Sequence, residues 1–375
     1  MRCFPFIPQK NLCEWHLNPN TTNYLVNQLN DKHGESIHLN KFCDFSQTLS
    51  LYDMNRRSGT IALQSRNNDD DNFDHPLGSI DDYSIIHRIG RGKYSNVFRG
   101  RSSTGDFCVI KVLKPVRMSK INREIKILES LKGGPYISQL RDIVRDKDSN
   151  SIALILDWAE NMSIRATFQQ LTTKHMAIYV YKVLKALEFA HSHGIMHRDV
   201  KPGNIMYDPN TNDVHLIDWG LAEYYEPGTA YPVRVATRHY KSPELLLQYQ
   251  TYDYSLDIWC LGCTLAGLLF QKVPFFQGND TDEQIIKLAE IFGGNEFIQY
   301  AEKYQLHLSA RVAAALPLLH GKPWTNWKNN KNRKNVTVKA IDLLSKLLTI
   351  DHQKRPTATE ALKHPFFNQI RDFVE

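Results

Sequence analysis

Near Ala159 the chain changes texture, and that change restricts its fold more than any other feature. Upstream, β-rich runs at 83–89, 96–101 and 107–113 alternate with Gly-containing turns. A helical stretch follows at 120–131, then two more strand candidates around Ile143 and at 152–156. Downstream the periodicity is helical. Ala177, Val180, Tyr181, Leu184 and Leu187 form one stripe within 173–193, and Gly194 suits the stop. Residues 255–270 are apolar on nearly every side, the pattern of a buried central helix. A small β-rich part followed by a larger helical part predicts an α+β chain of two lobes, 81–159 and 160–367, with a cleft between them and a short tail at 368–375.

Residues 1–80 read differently. They are Asn-rich, carry the polar stretch 66–72 and lack sustained periodicity, so they are expected to be a partly disordered N-terminal extension. The chain's 42% hydrophobic and 23% charged residues are ordinary for a globular protein that needs no disulfide or metal to build a core. Six cysteines, at 3, 13, 43, 108, 260 and 263, are too unevenly spread for a disulfide framework. The N-terminus lacks a signal-peptide apolar run, and the longest apolar stretch, 261–270, is about half of a membrane span. A reducing location, cytoplasm or nucleus, is expected, with no membrane partner. The formal charge of +6 favours acidic partners in general.

The chemistry is carried by four segments. Ile89-Gly90-Arg91-Gly92-Lys93-Tyr94-Ser95-Asn96-Val97 joins the first two strand candidates, and its glycines allow backbone to approach phosphates closely. An ordinary turn has the same composition, but a dinucleotide fold would need a helix directly after the loop, and Val97-Phe98-Arg99 reads as strand. Lys111, between apolar strand residues, suits a cleft ammonium that pairs with phosphates, and Glu124 on the next helix suits its ion-pair partner. Surface lysine is the commoner fate of such a residue. The decisive run is His197-Arg198-Asp199-Val200-Lys201-Pro202-Gly203-Asn204, followed by Ile217-Asp218-Trp219-Gly220. Asp199 suits acceptance of a proton from an attacking hydroxyl, Lys201 neutralisation of a transferred phosphoryl group, and Asn204 and Asp218 ligation of Mg²⁺. The order of these motifs behind the glycine loop predicts nucleotide-dependent phosphoryl transfer to protein hydroxyls. Glu244 and Arg355 have complementary charge and are expected to brace the larger lobe, and Asp257 is expected to hydrogen-bond the backbone near Asp199.

Three other constellations are set aside. Cys260 and Cys263 have redox-motif spacing but fall in the predicted buried helix, so packing is expected. Cys3, Cys13, His16, His33, His38 and Cys43 are too irregular for a zinc site. The basic, Asn-rich run 322–339 reads as a solvated loop, and no nucleic-acid-binding motif accompanies it.

Residues 90–95, 113–116, 123–128, 194–202, 216–223 and 252–257 resemble the casein kinase 2 catalytic subunits, among the eukaryotic protein kinases, over about 81–367. Asp218-Trp219-Gly220, where most kinases have Asp-Phe-Gly, is the sharpest marker. The resemblance implies a serine/threonine kinase that uses ATP, and also GTP, with Mg²⁺ on acidic protein substrates. It implies that Arg234, Arg238 and Lys241 meet the acidic side chains of substrate, and that Ile85, Phe98, Ile110, Val112, Val144 and Ile155 dock a regulatory β subunit. Strand alternation is expected to turn some of these six inward. Thr229, Tyr231 and Thr237 are hydroxyls open to modification, with incidental presence the simpler reading. The chain departs from the family's pattern in three places. The run 117–123 has fewer cations, Gly203 replaces a histidine, and Leu156-Asp157-Trp158 replaces Phe-Glu-His. A pseudokinase scaffold and a Pro-directed kinase are the competing readings.

Overall fold

The structure, a computed structural model, describes residues 73–162 and 170–374. The histidine and cysteine set between residues 3 and 43, and most of the N-terminal extension, lie outside the described residues.

The small lobe is a five-stranded antiparallel sheet in the order β1-β2-β3-β5-β4. It is built from β1 (Tyr83–Arg91), β2 (Ser95–Ser102), β3 (Phe107–Leu113), β4 (Leu140–Arg145) and β5 (Ile152–Asp157), joined by helix α1 (Met118–Ser130). The helix begins two residues before the expected position. Its Ile121, Ile125 and Leu128, spaced four and three residues apart, form the buried face.

The register separates the two faces of the sheet, because directly opposed residues in an antiparallel pair share a face. Val97 opposes Lys111, and Lys111 opposes Leu154. One position along, Phe98 opposes Ile110 and Ile110 opposes Ile155, while Val112 opposes Ala153 and Ala153 opposes Val144. Ile85 reaches the same face through Gly100 and Cys108. The six residues singled out as a docking set therefore all lie on the face away from Lys111, and the expected inward split is corrected. Their exposure is uneven. Ile85 is exposed, Phe98 and Val112 are half-buried, and Ile110, Val144 and Ile155 are 4% exposed or less in a small core with Cys108 and Ala153.

The large lobe is mainly helical. Helix α2 (Thr173–Ser192) starts on a reciprocal cap, in which Thr172 accepts from the His175 amide and His175 accepts from the Thr172 amide. It stops at Gly194, whose φ of 72° is the left-handed conformation a terminal glycine adopts without strain. Helix α3 (Ser255–Leu269) has all fifteen residues buried, which explains why it shows no polar face. Cys260 and Cys263 sit in it as packing residues, the Cys260 thiol donating to the Tyr240 carbonyl at 3.1 Å. Two short two-stranded sheets complete the lobe at the cleft. Strand β6 (Ile195–Met196) pairs with β9 (Glu223–Tyr224), and β7 (Ile205–Asp208) pairs with β8 (Asp213–Leu216). Because Ile205 opposes Leu216, the segments holding Asn204 and Ile217 leave the hairpin side by side, and the Ile217 amide donates to the Asn204 carbonyl at 3.0 Å.

Glu244 and Arg355 meet as the sequence suggested. Both side chains are fully buried, with Nη1–Oε1 at 2.9 Å and Nη2–Oε2 at 3.1 Å. The remaining guanidinium donors reach the carbonyls of Thr349, Ile350 and Ser255. A buried pair contributes little net stability, but losing one partner strands an ion in a low dielectric. Glu244→Ala is expected to cost about 3–5 kcal/mol in chemical denaturation, far more than an exposed Glu→Ala change in the same lobe. A loss near that of an exposed site would refute the bracing role.

Candidate active site

The glycine-loop hairpin turns between β1 and β2, closed by the Gly92 amide donating to the Ser95 carbonyl at 2.9 Å and by Lys114 Nζ donating to the Gly92 carbonyl at 2.6 Å. It roofs a cavity of about 280 Å³. Lys111 and Glu124 line one wall, and Asp199, Lys201, Asp218 and Gly220 form the floor. Gly92, Lys93, Tyr94 and Ser95 line it as well. Arg91 and Asn96 oppose each other, and Asn96 opposes Val112, so both belong to the sheet face away from Lys111. Their side chains are therefore removed from the expected pocket, and only their backbone shapes the hairpin. Gly90 opposes Val97 on the cavity side, beside the exposed Ile89.

Lys111 is the junction of the lobes. Its Nζ donates to Glu124 Oε1 at 2.7 Å and to Asp218 Oδ1 at 2.7 Å, and its side chain is 9% exposed. Burial alone would lower its pKa, but the two carboxylates outweigh burial and hold it well above the usual lysine range. The same pairing lowers the Asp218 pKa against the opposing effect of burial. Asp218 has φ of 63°, a left-handed turn at the start of the Trp219 segment. Gly220 beside it leaves room for Glu124, since a Cβ there would lie 3.2 Å from Glu124 Oε2, a tight contact. Trp219 is 1% exposed and packs edge-on against His197, with centroids 4.6 Å apart.

Asp199 is held from several sides. Its Oδ1 accepts from the Thr237 amide and from Thr237 Oγ1, both at 2.9 Å. Its Oδ2 accepts from Lys201 Nζ at 2.6 Å and Asn204 Nδ2 at 3.0 Å. Lys201 also donates to Thr237 Oγ1 at 2.8 Å. Thr237, set aside as an incidental hydroxyl, is thus part of the site; its only sequence signal was a position between Arg234 and Arg238, which says nothing about distance to Asp199. Tyr231 is 2% exposed and its hydroxyl bonds the Tyr224 carbonyl and the Glu226 amide, a structural role. Asn204 uses its Nδ2 on Asp199 and leaves its Oδ1 without a hydrogen bond among the described residues. Asp218 likewise spends one oxygen on Lys111. Asn204 does not line the cavity, but its Nδ2 binds it to Asp199, which does. Its amide oxygen and the second Asp218 carboxylate oxygen are hard donors of the kind that suit Mg²⁺.

Asp257 fixes the loop beneath. Its Oδ2 accepts from the His197 amide and its Oδ1 from the Arg198 amide, each at 2.8 Å, while His191 Nε2 lies 3.0 Å from Oδ2. Arg198 has φ of 65°. Arg198 and Arg123 both reach Glu223, at 3.5 and 2.7 Å, which ties α1 to the loop around Asp199.

The three substrate-recognition candidates do not line the cavity. Arg234 and Arg238 are exposed, Arg238 donating to the Asn279 carbonyl, and Lys241 Nζ donates to the Val233 carbonyl at 2.8 Å. They share the segment that Thr237 anchors to Asp199. Trp158 is also outside the cavity. The Arg99 guanidinium is sandwiched between it, at 4.5 Å, and Phe107, at 4.0 Å, while Asp157 pairs with Arg141 at 2.5 Å.

Burial pushes the Asp257 pKa up, but the hydrogen bond from His191 and the loop amides outweigh it and the pKa is lowered. A lowered folded-state pKa stabilises the protein above the ordinary aspartate range, and that contribution is lost as pH falls through the folded value. Asp257→Asn is expected to be less stable than the parent by about 1–3 kcal/mol at neutral pH, with the gap narrowing on acidification. Equal gaps in unfolding free energy at neutral and acid pH would contradict this assignment.

The protein kinase domain family model matches residues 83–367. The matched span contains every strand of both lobes and every side chain of the cavity described above. Such domains transfer phosphoryl groups from ATP with Mg²⁺, and the leftover Asn204 and Asp218 oxygens suit that ion. With most of its length matched and its small-lobe sheet, helical lobe and cleft in the corresponding order, the chain belongs to the protein kinase domain family.

Proposed function

We propose that this protein is an active serine/threonine kinase of the casein kinase 2 catalytic type, acting on Ser or Thr in acidic sequence contexts with ATP or GTP. The observation that carries the reading is the clasp on Asp199, in which Lys201 and Thr237 meet the same carboxylate. Thr237 brings its backbone amide to 2.9 Å from Asp199 Oδ1, so a substrate chain running beside that segment passes close to the carboxylate. The short arm of Ser or Thr reaches across that gap, whereas a phenol needs more depth.

In this reading Asp199 accepts the hydroxyl proton, and Lys201 balances charge on the moving phosphoryl group. Lys111, kept cationic by Glu124 and Asp218, orients phosphates, and the backbone from Gly90 to Ser95 covers them. Asn204 and Asp218 would hold Mg²⁺, which when bound would supply positive charge to the phosphate oxygens. Nothing in this set requires a covalent intermediate; it works by positioning and charge neutralisation. The complete set of charged groups favours turnover over a pseudokinase scaffold.

Arg234, Arg238 and Lys241 lie at −3, +1 and +4 from Thr237, which supports a cationic rim beside the acceptor site. A carboxylate or phosphoserine a few residues past the acceptor suits such a rim. The smaller charge of run 117–123 argues for a milder acidic preference than the family resemblance alone implies. Arg234-Val235-Ala236-Thr237-Arg238 and the Trp219 marker speak against Pro-directed specificity. We further propose cytoplasmic or nuclear residence, and a regulatory subunit that docks on the outer sheet face through Ile85, Phe98 and Val112, above the buried Ile110, Val144 and Ile155.

Labelled phosphate transfer to an acidic Ser peptide, a Ser-Pro peptide and an acidic Tyr peptide, with ATP and then GTP, tests the reading. The acidic Ser peptide is expected to be preferred, and Asp199→Asn to lower kcat by about 10²–10⁴. Preference for Ser-Pro, or full activity of Asp199→Asn, would sink it. Phe98→Ala is expected to weaken β-subunit association without changing peptide kcat; unchanged association refutes the docking face.

A further inference from the structure

Between Glu302 and Asp342 the chain has no Asp or Glu, while Lys322, Lys328, Lys331, Arg333, Lys334 and Lys339 fall in that interval. All six are exposed, and none forms an ion pair among the described residues. Four of them crowd into residues 328–334.

This segment is a fixed surface. Asn332 is fully buried; its Nδ2 donates to the Trp327 carbonyl at 2.9 Å and its Oδ1 accepts from the Asn329 amide at 2.8 Å. Asn329 Oδ1 accepts in return from the Lys331 amide, and Asn335 Nδ2 donates to the Leu171 carbonyl at 2.8 Å. Asn332 and Asn335 thus serve the interior, Asn329 ties the turn to itself from the surface, and the exposed lysines at 328, 331 and 334 recur at a spacing of three. The Arg333 amide donates to the Asn329 carbonyl at 2.9 Å, a helix-like turn in which residues three apart are neighbours. Like charges at that spacing repel, and no carboxylate among the described residues pairs with them.

Its place is remote from the cleft. Asn335 is tied to Leu171 and Thr173, at the start of α2, whereas the far end of α2 carries His191 beside Asp257. Helix α3 carries the same Asp257 in its first turn and leads to Phe270, whose ring stacks on Trp324 at 5.8 Å. Two helices of 20 and 15 residues therefore separate the segment from the loop around Asp199, about 20–30 Å.

We propose that residues 328–334 form a docking site for an Asp/Glu-rich segment of the protein substrates, outside the catalytic cleft. The inference rests on membership of the protein kinase family and is independent of the acceptor context proposed above. Protein rather than nucleic acid is the occupant because the neighbouring aromatics, Trp324 and Trp327, are half-buried and their rings are engaged by Phe270 and Phe275 rather than presented for base stacking. An acidic tract bound here raises the local concentration of a distant acceptor at the cleft, so its effect appears in KM.

The test uses the full chain and two substrates with one acceptor sequence, one of them extended by a Glu/Asp tract beginning about ten residues away, enough chain to cover the distance. The parent enzyme is expected to show a lower KM for the extended substrate. The variant with Lys328→Gln, Lys331→Gln, Arg333→Gln and Lys334→Gln is expected to raise that KM about tenfold, leaving kcat and the short-substrate KM unchanged. Lys331→Glu alone should act in the same direction, with thermal unfolding of both variants matching the parent. An extended-substrate KM that does not move, or an equal rise for both substrates, overturns the proposal. Tighter binding of single-stranded RNA than of the acidic-tract peptide, lost in the variant, also overturns it and assigns the surface to nucleic acid.

Discussion

A buried ammonium needs carboxylates on more than one side, and Lys111 finds them in different lobes. Glu124 comes from α1 of the small lobe and Asp218 from the turn after β8 of the large lobe, each at 2.7 Å. Because the charge is 9% exposed, separating either partner would leave it poorly solvated. The relative position of sheet, helix and floor is therefore tied to one side chain. Gly220 lies against the same carboxylate, since a Cβ there would come within 3.2 Å of Glu124 Oε2.

The floor of the cavity depends on a second buried carboxylate. Asp257 takes two consecutive amides of the loop before Asp199, and the left-handed conformation of Arg198 is held by those bonds. Glu223 then joins Arg198 to Arg123 on α1, so the loop, the segment after Gly220 and the helix that positions Glu124 share charge partners. Burial raises the cost of each isolated charge, and the pairing converts that cost into a requirement that all the segments be in place together.

Much of this was legible along the chain. Strand β3 was placed at 107–113, and α2 and α3 fell within a residue of their expected ends, because period-two alternation and uniform apolarity are local signals. The pairing of Glu244 with Arg355 and the role of Asp257 were also legible, since opposite charge and motif order suggest partners. The role of Thr237 was not. Nothing in an exposed-looking Ala-Thr-Arg run says that its hydroxyl and amide reach a carboxylate 38 residues earlier. The faces of Arg91 and Asn96 were equally hidden, because a one-residue change in hairpin register reverses which side chains meet the cavity. The asparagine pins beneath residues 328–334 show the same limit: composition described a polar loop, and only contacts with Trp327 and Leu171 made it a fixed surface.

The sequence by itself determined the order and type of the elements and the residue types available for phosphoryl transfer, because backbone propensity, hydrophobic period and motif spacing are all short-range. Tertiary structure alone decided which face each strand presents, which hydroxyl joins Asp199, and where the unpaired cations lie relative to the cleft. Those outcomes depend on register, on helix length and on burial, and each is set by contacts between residues tens to hundreds of positions apart.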